Sequence, residues 1–141
     1  MLVLVQATVL TVGLNGKNEV LQELPIELLT MQSGVEAARS LKNKNIDSII
    51  SNWNLDDMKN GRFLRKLRAV KPHVPTIVFV RAGDKAQEIA ARSLGASAVL
   101  TDEADDELFL QTVANILELK NIVSIKAIAP AKKKRYEKIS K

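Results

Sequence analysis

Thr76–Val80, TIVFV, constrains this chain more than any other segment. It has strand length, is β-branched or apolar throughout, and offers no polar face to water. Such a strand must be covered on both sides, which suits the centre of a parallel sheet. Four other runs accompany it: Ala7–Val12, Ile26–Thr30, Asp47–Trp53 and Ala98–Leu100. Segments of helical period lie between and after them. Asn18–Leu24 is short and ends at Pro25. Gly34–Asn43 carries Val35, Ala38 and Leu41 at helical spacing, with Ser33 as its cap. Asn60–Val70 places Phe63, Leu64, Leu67 and Val70 on one face, and Pro72 stops it. Asp84–Leu94 ends at Gly95. Asp105–Leu119 begins with Asp105 and Asp106, whose charge suits a helix N-terminus. The pattern is strand–helix repeated five times, which predicts a parallel sheet with helices on both faces. Chemistry in such sheets collects at the carboxyl ends of the strands. The loops near residues 13–16, 53–60, 81–84 and 101–104 are therefore the places to look.

The chain has 141 residues, enough for one domain with a real core. It has no cysteine, which excludes disulfides, thiolate metal sites and a cysteine nucleophile. Its net charge of +5 resides in residues 132–141, where six basic side chains face one acidic one. The remaining residues hold 15 basic and 15 acidic side chains, so no domain-wide basic face is implied. Met1 to Leu14 is apolar but has no lysine or arginine before Lys17, unlike a signal peptide. It is also too short to span a bilayer, which takes about 20 residues.

The stretch Ile49–Arg68, IISNWNLDDMKNGRFLRKLR, resembles the third strand and following helix of response-regulator receiver domains. Val74–Phe79 resembles the family's fourth strand. Ser93–Thr101 resembles its Gly-Ala-x-x-Tyr-Leu-x-Lys-Pro segment, and Thr30–Ala38 its second strand and the next helix. The resemblance spans about residues 7–119. It implies a flavodoxin-like (βα)5 fold, a doubly wound parallel five-stranded sheet with strand order 2-1-3-4-5. The segment between the first two strands is short, so the first helix is expected to depart from the family. Residues 1–120 would form the receiver-like domain and 121–141 an extension with a basic tail. Within it, the apolar stretch Asn121–Ala127 suits an edge strand, a docking segment or a helix end.

In that family a phosphoryl group passes to an aspartate. The step needs a carboxylate nucleophile, Mg²⁺ on oxygen ligands, and a cation and hydroxyl for the phosphoryl oxygens. Matched residue by residue, the acceptor falls on Asn52, a neutral amide. The paired acids fall on Gly13 and Leu14. The hydroxyl residue falls on Val80, the lysine on Asp102, the proline after it on Glu103, and the switch aromatic on Val99. The resemblance thus implies a pseudo-receiver of two-component signalling. It would be cytoplasmic and not an enzyme, with no metal or cofactor, and would work through protein–protein contact.

The contact face would be residues 84–119, with a protein partner or a second copy. The alternative is a small-molecule-binding domain using the vacated crevice, with Gly13, Asn15, Gly16, Asn52 and Asn54 as lining. Trp53 either covers that crevice or packs in the core, with packing slightly favoured. Asp56 and Asp57 are expected to be solvated loop residues rather than cation ligands, since no third ligand joins them. His73, the sole histidine, reads as a surface turn residue. Asn60 takes a loop position where a left-handed backbone is expected. Lys132, Lys133, Lys134 and Arg135 offer a site to an anionic partner, though a solvated end is the favoured reading.

Overall fold

The computed structural model describes residues 7–128, with side chains described through Leu117. Five strands form one parallel sheet: β1 Ala7–Val12, β2 Ile26–Met31, β3 Ser48–Asn52, β4 Thr76–Val80 and β5 Ala98–Thr101. Their order is β2-β1-β3-β4-β5, the flavodoxin-like order expected. The helices are α1 Gly34–Asn43, α2 Arg62–Val70, α3 Lys85–Ser93 and α4 Asp106–Ile128. Every residue of β4 is buried, and so are the first four of β3. The edge strand β2 has no fully buried residue. Central strands covered on both faces are the reason their sequences show no alternation.

Two apolar layers sandwich the sheet. Leu10, Val12, Ile49 and Val78 face Ala37 and Leu41 of α1, Phe63, Leu64 and Leu67 of α2, and Ala91 of α3. On the other side Val9, Ile50, Ile77 and Phe79 meet Phe109, Val113, Ile116 and Leu117 of α4. Phe79 and Phe109 pack edge to face, with ring centroids 5.1 Å apart.

The expected first helix is a 3-10 segment, Lys17–Glu23. Gly16 precedes it in a left-handed conformation and supplies no capping side chain. Pro25 cuts it after two turns, too short for an α-helix to gain its cooperative hydrogen bonds. It still anchors this layer, because Leu21 is completely buried. The cap at Ser33 is as expected: its hydroxyl accepts from the Glu36 N–H at 3.1 Å. Asp84 and Asp105 act likewise for α3 and α4, accepting from Gln87 N–H and Leu108 N–H. Helix α4 continues past residue 120 to Ile128, so of the three expectations for Asn121–Ala127 the helix end is the one observed.

Arg68 ties one edge of the fold together. Its guanidinium donates to the carbonyls of Pro72 and Val74 at 3.0 Å each, of Leu94 at 3.0 Å and of Gly95 at 3.3 Å. It also donates to the Thr76 hydroxyl at 2.6 Å. One side chain thereby fixes the end of α2, the entry to β4 and the α3–β5 turn. Lysine has neither the planar fork nor enough donors for this set. Arg68→Lys should lower stability by about 1–3 kcal/mol in urea unfolding, because partly buried carbonyls lose their donors.

Candidate functional site

Parallel pairing brings four strand ends side by side. Val12 is in register with Ser51, Asn52 with Phe79, and Val80 with Thr101. The chain continues the ladder past the strands: Gly13 N–H donates to Met31 O, Trp53 N–H to Phe79 O, and Asp102 N–H to Val80 O. The positions singled out in sequence, Gly13, Asn52, Val80 and Asp102, therefore share one edge.

Asn52 ends β3, and its side-chain Nδ2 donates to the carbonyl of Gly13. Gly13 has φ +66°, and a Cβ there would lie 2.6 Å from Cδ2 of Leu55. Leu14 does not point into the crevice. It is buried with Leu21 and Phe79 in the α4-side core. Val80 is 4% exposed and packs in the opposite layer. Asp102 Oδ1 accepts from Ala82 N–H at 3.1 Å.

Of the residues expected to line the crevice, Trp53 and Asn54 do so beside Asn52. Asn15, Gly13 and Gly16 do not line it. Asn15 is exposed, held with Gly16 in a left-handed turn that carries the chain away into the 3-10 segment. Phe79, Val80, Arg81, Gln87 and Asp102 complete the wall of this open crevice of about 320 Å³. Arg81 and Gln87 were missed in sequence, since they match no family functional position. The available signal was that Arg81 directly follows the most buried strand, at its carboxyl end.

Trp53 belongs to both expectations. It is 6% exposed in the core and also lines the crevice. Its ring lies over Gly61, where a Cβ would come within 2.3 Å of it. Asn60 and Gly61 are both left-handed, at φ 58° and 75°, and turn the loop back to begin α2. Gly61→Ala should cost about 1–3 kcal/mol in urea unfolding, because the new Cβ would clash with the Trp53 ring and the backbone there is left-handed.

Asp57 corrects one expectation. It is exposed, but it is not simply solvated: its carboxylate accepts from Gly34 N–H at 2.8 Å and Val35 N–H at 3.0 Å. The β3–α2 loop thus caps α1, and Leu55 and Met58 pack beneath it, close to Gly34. Those two N–H bonds hold the Asp57 carboxyl below the usual carboxylate range. Asp56 is exposed, and no group of three or more metal-ligating side chains occurs among the described residues. His73 is exposed in the loop before β4, away from the carboxyl edge. The basic residues Lys132 to Arg135 lie outside the described residues.

A family model for the response regulator receiver domain matches residues 12–114. The chain belongs to this family, a class of signalling modules. It is 28% identical over 91 residues to the transcriptional regulatory protein GlrR of Escherichia coli, covering 64% of this chain and 20% of that protein. It is 27% identical over 94 residues to a CheY homolog, a chemotaxis protein of Campylobacter jejuni, covering 64% of this chain and 72% of that one. This chain thus spans only a fifth of the larger relative. Among solved structures, CheY4 of Vibrio cholerae aligns with a TM-score of 0.70 at 22% identity, over 79% of this chain and 99% of that one. The receiver domain of an HD-domain protein of Pseudomonas fluorescens aligns at 0.75 and 21%, over 84% and 99%. These last two establish the shared fold.

Because the Asp57 carboxyl titrates low, its capping contribution is present above the ordinary carboxyl range and is lost as pH falls through its own pKa. Asp57→Ala should cost about 1 kcal/mol at neutral pH. The gap from the unaltered chain should close on acidification, as monitored by denaturant unfolding at several pH values.

Proposed function

We propose that this receiver domain does not take up phosphate and signals through constitutive protein–protein contact. The observation that carries the reading is Asn52. At the end of β3, where the family places its acceptor, a carboxamide is tied to the Gly13 carbonyl. A neutral amide is no nucleophile toward phosphorus. The family's Mg²⁺ does not fit the side chains at this edge. Gly13 has no side chain, and Leu14 is buried among apolar groups. Asp102 places a negative charge where the family has a lysine, which opposes a phosphoryl group. Val80 supplies no hydroxyl.

With Val80 and Val99 in the switch positions, regulation would come from a partner or ligand. The contact face we assign is α3, β5 and α4, within residues 84–119. Ile89 on α3 is 64% exposed, and Leu108 on α4 is 46% exposed, both large apolar side chains turned to water. Neither contributes to the core, so each is available to a protein partner or a second copy.

A small phosphodonor with Mg²⁺ tests this directly by intact-mass measurement. The unaltered chain should gain no phosphoryl group. Asn52→Asp alone should also stay unmodified, because the metal-binding acids and the lysine are still missing. Incorporation at Asn52 or a neighbouring residue of the unaltered chain would overturn the proposal.

A further inference from the structure

The crevice at the carboxyl edge has an unusual internal order. Its three carboxamides are each hydrogen-bonded to a backbone group, which leaves one end of each amide without a protein partner. Asn52 Nδ2 donates to Gly13 O, so its Oδ1 is the free atom, an acceptor. Asn54 Oδ1 accepts from Asn60 N–H at 2.6 Å, which leaves its Nδ2 as a free donor. Gln87 Oε1 accepts from Arg81 N–H at 2.9 Å, which leaves its Nε2 as a free donor. A carbonyl can only accept and an N–H can only donate, so none of these amides can be turned over without losing its anchor.

The two charged side chains of the wall are available as well. Asp102 has one oxygen on Ala82 N–H and the other without a partner among the described residues. Arg81 forms no side-chain hydrogen bond, and neither residue forms an ion pair, among the described residues. The wall therefore carries one positive and one negative charge, both uncompensated, and a net charge of zero. It also presents fixed free donors from Asn54 and Gln87 and a fixed free acceptor from Asn52. Trp53 and Val80 supply apolar surface between them.

We propose that this crevice is a binding site for a small zwitterion, a free α-amino acid with an uncharged polar side chain. The ligand carboxylate would meet the Arg81 guanidinium and Gln87 Nε2. Its ammonium group would meet the free oxygen of Asp102. Asn52 and Asn54 lie two strands from Asp102, about 10 Å across the sheet, and would address the ligand's side chain. A carboxamide side chain fits best, because it offers both a donor to Asn52 Oδ1 and an acceptor to Asn54 Nδ2. Inorganic phosphate is disfavoured by Asp102 and by the Asn52 oxygen, and a simple cation is disfavoured by Arg81. This site goes beyond the interaction role and does not depend on it, since a ligand can bind whether or not a protein partner does.

The test is a titration of the full chain with L-glutamine, monitored by backbone amide NMR shifts. The proposal expects saturable shifts confined to residues around Asn52, Asn54, Ala82, Gln87 and Asp102. It expects much weaker responses to acetate, methylammonium and inorganic phosphate. Arg81→Ala and Asp102→Ala, both at exposed positions, should each weaken glutamine binding by about tenfold, the usual effect of losing a charge-assisted hydrogen bond. The absence of a saturable response would overturn the proposal. So would phosphate binding more tightly than glutamine, or unchanged affinity in both variants while their spectra remain folded. The phosphodonor assay reads a covalent change instead, so failure there and failure here are separate results.

Discussion

The burial of β4 on both faces governs the rest of this structure. Thr76–Val80 is buried at every residue, so apolar layers must lie above and below it. Parallel neighbours then require crossovers, and the crossovers supply those layers: α1, α2 and α3 on one side, α4 and the 3-10 segment on the other. The same topology sends every strand in one direction. It leaves β1, β3, β4 and β5 ending together, with their outgoing loops on a single edge. The crevice is thus a consequence of how the core is covered, and its lining depends on the few residues that leave the end of each strand.

At that edge the loops are joined by side chains to the backbone of neighbouring segments. Asp57 reaches from the β3–α2 loop to two N–H groups of α1. Asn52 reaches to Gly13, Asn54 to Asn60, Gln87 to Arg81, and Asp102 to Ala82. Each contact joins a side chain to an otherwise unpaired backbone group near a strand or helix end. Leu14, turned inward beside that edge, adds apolar burial to the α4-side core.

The fold was largely legible in the sequence because its strongest signals are physical necessities. Gly34–Asn43 and Thr76–Val80 fall on the boundaries the pattern gave, one fixed by the Ser33 cap and the other by continuous apolarity. The 3-10 segment was foreshadowed by Pro25, although its hydrogen-bond type was not, since periodicity over seven residues cannot separate the two helices. Arg68 was invisible: it sits in a helix like any surface cation, and its acceptors are carbonyls of residues up to 27 positions away. The site was legible at Asn52, Trp53 and Asn54, which stand at and just beyond the end of one strand. It was misplaced at Asn15, whose left-handed turn carries the chain off the edge. It was incomplete at Arg81 and Gln87, which become neighbours only when the α3 entry folds back on β4.

The proposed crevice site and the proposed contact face share one element of the fold. Helix α3 carries Gln87 toward the crevice, while Ile89, two residues on, is exposed to solvent. Gln87 is joined through its Oε1 to the backbone of Arg81, so the first turn of α3 is bound to the end of β4. A ligand drawn to Arg81 and Gln87 would hold that junction in place. The same bond links the crevice wall to the helix that carries Ile89. Coupling between crevice and face would then need no phosphoryl group and no switch aromatic, only a ligand whose affinity differs between two settings of one short helix.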